Sequence, residues 1–222
     1  MDRREFTVAL AAAGPWCARA ATSETEAASG VRAALERSAL AAVSRLGRVD
    51  GFLGDPRVHI PLPGPLKAAA SLLRATGQGR MVDELETAMN RGAEAAVPQA
   101  RELFVNTVKA MSVEDALKLV RSDSPTAVTD FFAGKMRVPL GEKFLPVVTQ
   151  ATERLQLARR YNAVAARAAG VGLVKGDEAS VQRYFTGRAL DGLFLVMGDE
   201  EKKIRADPLR TGSAILRKVF GR

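Results

Sequence analysis

Apolar residues recur at helical spacing along most of this chain, and no stretch alternates with period two for long enough to read as a sheet strand. Val31, Leu35, Ala39, Val43 and Leu46 mark one face of a first helix, and Gly47 stands where a helix commonly stops. A connector follows, Asp55-Pro56-Arg57-Val58-His59-Ile60-Pro61-Leu62-Pro63-Gly64-Pro65. Its prolines remove backbone donors and push each preceding residue toward extended geometry, so it cannot be helix. Pro65 suits an early position of the second helix, which carries Leu66, Ala69, Leu72 and Leu73 on one side and ends at Gly77-Gln78-Gly79. A third helix presents Met81, Leu85, Ala88, Met89 and Gly92 on one face and Asp83, Glu84, Glu86 and Arg91 on the other. Pro98 reads as a restart before Leu103, Phe104, Thr107, Val108 and Met111.

Ser112, with Asp115 three residues on, predicts the N-cap of another helix. Ser124-Pro125 predicts a further start, followed by Val128, Phe131, Phe132 and Met136. Pro139 then opens the longest run, through Leu140, Phe144, Val147, Val148, Ala151 and Leu155, with Pro146 as a kink site and Tyr161-Asn162 near its end. Residues 170–176 read as a glycine-bearing turn. Val181, Phe185, Ala189, Leu193, Val196, Met197 and Ile204 mark the next helix, which Asp207-Pro208 stops, and Ile215, Leu216, Val219 and Phe220 form a short last one. The pattern predicts an all-α fold, a compact multi-helix bundle of roughly eight to ten helices with a proline-rich connector after the first long helix.

The N-terminus changes the domain division. Asp2-Arg3-Arg4-Glu5-Phe6 is a twin-arginine motif, 8–13 is a weakly apolar run, and Ala18-Arg19-Ala20 has the small-x-small pattern of a cleavage site. The run is too short for a permanent membrane span. The expectation is a cleavable twin-arginine-type signal peptide at 1–20, a flexible leader at 21–29, one all-helical domain at 30–222, and a periplasmic location. The alternative is a cytoplasmic amphipathic N-terminus. Cleavage after Ala20 removes three arginines and two acids, lowering the formal charge from +8 to +7, and takes away Trp16 and Cys17, the sole tryptophan and cysteine.

One cysteine and one histidine, His59, cannot make an internal disulfide or a Cys/His zinc site, and no D-x-D-x-D loop points to a hard cation. The positive charge suits anionic lipid or wall polymer through weak contacts, or simply keeps a mixed-charge surface soluble. Export and the lack of basic–aromatic interleaving argue against nucleic acid. Neither Gly77-Gln78-Gly79 nor Gly170-Val171-Gly172 has the ending of a phosphate loop, and no cofactor motif is present.

Several separated runs form a pattern: Asp50-Gly51-Phe52-Leu53, Ile60-Pro61-Leu62-Pro63, Ala88-Met89-Asn90-Arg91, Tyr161-Asn162, Ala189-Leu190-Asp191-Gly192-Leu193-Phe194 and Glu200-Glu201-Lys202-Lys203-Ile204-Arg205. Together, and in this order, they resemble the exported bacterial family known as domain of unknown function 4197, over about 30–221. The resemblance implies an all-helical envelope protein. It implies no activity and no catalytic residues.

The candidate ligand-binding residues are Glu86, Asn90, Glu94, Tyr161, Asn162 and Asp191. Glu86, Asn90 and Glu94 follow i, i+4 spacing on one helix face, where paired carboxylates can do acid–base chemistry or hold a cation. The alternative for them is a solvated face neutralised by Arg91 and neighbouring basic residues. Asp191 interrupts an apolar stretch and needs a partner if buried, which Arg188 or a distant arginine can supply. Tyr161 and Asn162 read as a helix-packing pair or part of a pocket, and His59 as structural or exposed. Arg210, Arg217, Lys218 and Arg222 make a basic tail that either touches anionic lipid or caps the core through its apolar face.

No catalytic constellation stands out, so the leading expectation is a non-catalytic soluble envelope protein that binds a partner protein or small ligand. The rival is a carboxylate-dependent hydrolase or lyase of the envelope using Glu86, Glu94 or Asp191.

Overall fold

A computed structural model describes residues 24–99, 101–120, 122–154, 156–169 and 178–220, and those residues form nine α-helices, one 3-10 turn and no strand. The expected signal peptide, residues 21–23 of the leader and the turn at 170–176 lie outside the described residues.

The first helix, α1 (Glu24–Leu46), is the central post. It touches α3 (Gly79–Gln99), α4 (Arg101–Lys109), α5 (Val113–Val120), α6 (Ala127–Arg154), α8 (Glu178–Ala206) and α9 (Ala214–Phe220). The expected leader is helical from Glu24 onward, with Ala27 and Ala28 buried. Large apolar residues mark a helix face to the eye; here small ones do the packing. A Cβ on Gly30 would stand 2.5 Å from Val219 Cγ2, so the last helix lies directly on the first.

The connector and α2 (Gly64–Ala75) follow, with a proline in the first turn of α2 and the extended Pro63 at its N-cap. Helix α3 runs through Pro98, and the expected restart falls at Arg101. Ser112 Oγ accepts from Asp115 N at 3.2 Å at the start of α5, as the capping pattern predicts.

Pro139 opens nothing: it and Pro146 both lie inside α6, a single helix of 28 residues. Each proline removes one helical donor. The buried stripe Val128, Phe132, Leu140, Phe144, Val148, Ala151 nevertheless stays in register across them, and tertiary packing outweighs local propensity. The run ends at Arg154, because Gln156 takes a φ of 51°. Tyr161 and Asn162 therefore belong to a separate helix, α7 (Leu157–Ala169).

One contiguous apolar core draws on α1 to α8 and on the connector, and a second cluster, Ala34, Ile204 and Leu216, sits under α9. The non-helical segment 47–63, the connector together with the turns before it, enters the main core through Phe52, Val58, Ile60 and Leu62 and is called the connector from here on. It passes so close to α8 that a Cβ on Gly192 would lie 2.8 Å from Phe52 Cε1 and 3.2 Å from Val58 Cβ. Gly192→Ala is thus expected to destabilise by about 1–2 kcal/mol, the overpacking strain exceeding the helix-propensity gain. A thermal melt checks this: an unchanged or raised midpoint would mean that the connector yields freely.

Candidate functional site

A buried non-helical segment must find partners for its backbone N–H and C=O groups. Two side chains one turn apart on α3 supply them. Glu94 Oε1 accepts from Phe52 N at 3.0 Å and Leu53 N at 3.1 Å, while Oε2 accepts from Arg91 Nη1 at 2.7 Å. Arg91 reaches on to Asp50 Oδ1 at 2.8 Å. Asn90, fully buried, accepts from Ile60 N at 2.8 Å and donates to Ile60 O at 3.0 Å and Glu86 O at 2.8 Å. The solvated face expected as the alternative for this stripe is therefore corrected at Asn90 and Glu94: both point inward because the connector needs their polar atoms.

Glu86 stands at the edge of that stripe, its Oε1 3.7 Å from His59 Nε2 and its Oε2 3.5 Å from Arg74 Nη2. Tyr184 on α8 donates from its hydroxyl to Pro61 O at 2.9 Å, and burial pushes its phenol up from the ordinary value. Asp191, two turns further along α8, is gripped by both kinds of partner expected for it, Arg188 at 3.2 Å and Arg137 from α6. Tyr161 is buried and Asn162 exposed on α7. The structure thus brings Glu86, Asn90 and Glu94 together, and carries Asp191 and the Tyr161–Asn162 pair on other helices.

Glu201 plays an important part that the sequence pattern hid among exposed neighbours. Its two oxygens accept from Val128 N at 3.1 Å and Thr129 N at 2.7 Å, and Arg205 Nε donates to it at 2.8 Å. The i, i+4 spacing to Arg205 was the available signal; the α6 amides, more than seventy residues away, left none.

Two surface grooves stand out among the described residues. The larger, about 750 Å³ between α3 and α7, is lined by charges that answer each other. Glu84 lies between Arg80 at 2.9 Å and Arg160 at 3.1 Å, and Arg91 is engaged as described. The other, about 400 Å³, lies between α6 and α8 and is mostly apolar: Val138, Gly141 and Leu145 on one side, Gly187 and Leu190 on the other. The helices are antiparallel, since Val128 meets Glu201 and Arg137 meets Asp191. Arg137 therefore stands at one end of the groove and Arg183 at the other, with Glu142 on the rim.

Residues 21–221 match the family described as "Protein of unknown function (DUF4197)". The chain belongs to this family. No curated protein and no solved structure matches it. Three of the runs that resemble DUF4197 in sequence meet in space, and a fourth lies against them at Gly192. Asp50-Gly51-Phe52-Leu53 and Ile60-Pro61 are joined to the α3 run through Asn90, Arg91 and Glu94, and the α8 run contains the Glu201–Arg205 pair. Much of the DUF4197 pattern in this chain is the means of docking one irregular connector.

A pH dependence follows from the same connector. Asp55 receives Arg57 through its guanidinium and backbone N–H, and Arg45 at 2.8 Å. These bonds, that from the Arg57 side chain foremost, hold its carboxyl down at about 2 against an ordinary 3.8. A carboxyl with a depressed folded pKa stabilises the fold above its unfolded value and loses that contribution as pH falls through the folded one. Asp55→Asn is expected to cost about 1 kcal/mol at pH 6 after allowance for solvent screening. The gap between variant and wild type should close between pH 4 and pH 2, read from urea melts. A gap independent of pH would refute the assignment.

Proposed function

We propose that this DUF4197 protein is an exported, non-catalytic binding protein of the bacterial envelope, and that its binding surface is the α6–α8 groove. The observation that carries this reading is a pair of glycines inside helices. Glycine in a helix interior is worse than alanine by about 0.5–1 kcal/mol. A Cβ on Gly187 would meet nothing within 4 Å, and one on Gly141 only Leu190 Cδ1 at 3.8 Å. Packing within the described chain requires neither glycine, yet each keeps the trench open. Val138, 70% exposed, adds an apolar wall that water covers poorly.

Other observations support the export and binding parts. The family match starts at residue 21, next to the Ala18-Arg19-Ala20 pattern. Among the described residues no helix is long and apolar enough to cross a membrane. Of the carboxylates on which a hydrolase or lyase would depend, Glu94 is held by Arg91 beneath the connector and Asp191 by Arg137 and Arg188, while Glu86 lies 3.5 Å from Arg74 and 3.7 Å from His59. The basic tail packs Leu216 and Val219 inward and ties Lys218 to Glu26 at 2.6 Å, which favours core covering over lipid contact.

The test is native mass spectrometry of the protein purified gently from its own envelope, beside a Gly187→Leu variant. The expected result is a chain lacking residues up to about Ala20, with an added mass or partner that the variant loses. The same complement in both proteins would overturn the groove as the binding surface. Tryptophan emission from the exported form would overturn cleavage, since Trp16 is its only source.

A further inference from the structure

Resting on the groove reading, we infer that the occupant is a single-chain anionic amphiphile, an alkyl chain ending in a carboxylate or similar acid. The floor accounts for the chain. Val138, Leu145 and Leu190 offer aliphatic surface, and Gly141 and Gly187 lower the floor between them. From Val138 to Leu145 the trench runs about 10 Å along α6 at the helical rise. A volume of about 400 Å³ lies toward the small end for a ligand site, which suits one alkyl chain better than two.

The rim accounts for the charge. Arg137 is already bound to Asp191, but that carboxylate is shared with Arg188, so two guanidiniums face one acid at this end. Arg183 has no acidic partner among the described residues and stands at the Leu145 end, beside the groove. Among the described residues the one acid lining the groove is Glu142, so cations exceed anions around the trench once Arg188 and Asp191 are counted. Arg183 is the group that takes the acid head, since among the described residues it gives up no ion pair to do so. A cationic head would lack a free acid other than Glu142 and would meet Arg137 and Arg183.

The test uses the exported protein, stripped of co-purifying amphiphile on a hydrophobic resin, in calorimetric titrations. The probes are decanoate, decyltrimethylammonium and butyrate. The expected result is saturable binding of decanoate at one per chain, with neither the cation nor the short acid bound measurably. Arg183→Glu should weaken decanoate by about tenfold or more, the loss of one charge-assisted contact. Gly187→Leu should abolish binding while leaving the thermal midpoint equal or higher, because leucine is the better helix former and meets no neighbour at its Cβ. This separates a blocked groove from a damaged fold.

No saturable decanoate binding, equal binding of the cation, or unchanged binding by Gly187→Leu would each overturn the inference. If the envelope-purified protein still carries a mass that Gly187→Leu loses while the stripped protein ignores decanoate, the ligand class is wrong and the groove reading stands. If neither experiment depends on Gly187, both fall.

Discussion

Glu201→Ala is expected to lower stability by about 3–5 kcal/mol, the range for leaving a buried charge without its partner. For a chain of this length that shifts the thermal midpoint by roughly 10 °C. The first amides of any helix have no partner within it. Helix α6 begins at Ala127, and the local caps reach only part of the way: Ser124 Oγ accepts weakly from Thr126 N at 3.4 Å. Ala127 N donates to Ser124 O at 3.3 Å, and the two amides after it, Val128 and Thr129, are capped from α8 by a carboxylate that is 1% exposed. A negative charge at a helix N-terminus also opposes the positive end of its dipole. Truncation strands both amides and leaves Arg205, whose Nη2 is already buried without a hydrogen-bond partner, facing no acid. Glu201→Gln keeps two polar atoms and the size of the side chain, so it should cost markedly less. Urea melts with far-UV circular dichroism check the order wild type, Gln, Ala. A loss below about 1 kcal/mol for alanine would show that water reaches the α6 start and that the cap is dispensable.

The helices were legible wherever large apolar residues kept one face, as in Val31 to Leu46 of α1 and Phe185 to Ile204 of α8. They were misread where packing contradicted a local rule. Pro139 reads as the start of a run, yet Phe132, Leu140 and Phe144 hold one buried stripe across it, and no local signal reports what lies on the other side of that stripe. The start of α1 was hidden for the opposite reason: Ala27, Ala28 and Gly30 bury little area each, and nothing local tells that Val219 lies against Gly30.

At the candidate site the sequence disclosed faces but not partners. The spacing of Asn90 and Glu94 placed them together, and Asp191 among leucines called for an arginine. What each side chain meets lies 30 to 73 residues away in the cases of Ile60, Phe52 and Val128. Those pairings are set by chain topology, which a local period does not encode. The α6–α8 groove was the least legible, because a helical glycine looks the same whether a neighbour presses on it, as at Gly192, or nothing does, as at Gly187.

Glu94→Ala is expected to cost about 3 kcal/mol and to loosen the connector before the rest of the fold. The carboxylate is the shared acceptor for Phe52 N, Leu53 N and Arg91, and Arg91 in turn holds Asp50. Without it two amides at the entry of the connector lose their acceptor, and Arg91 keeps only an exposed partner. Asn90 continues to hold Ile60 from both sides, so the far end stays docked. Hydrogen exchange should therefore speed up at residues 50–55 in Glu94→Ala and at His59 and Ile60 in Asn90→Ala, while α1 and α8 keep their protection. The two substitutions act on one segment through one helix, so their energies should not add. Once either end is free, part of the other's contribution is already lost, and the double variant should fall short of the sum by about 1 kcal/mol or more. Strict additivity in urea melts would mean that the two side chains hold independent pieces of chain. The connector would then be two separate loops rather than one segment held between α3 and α8.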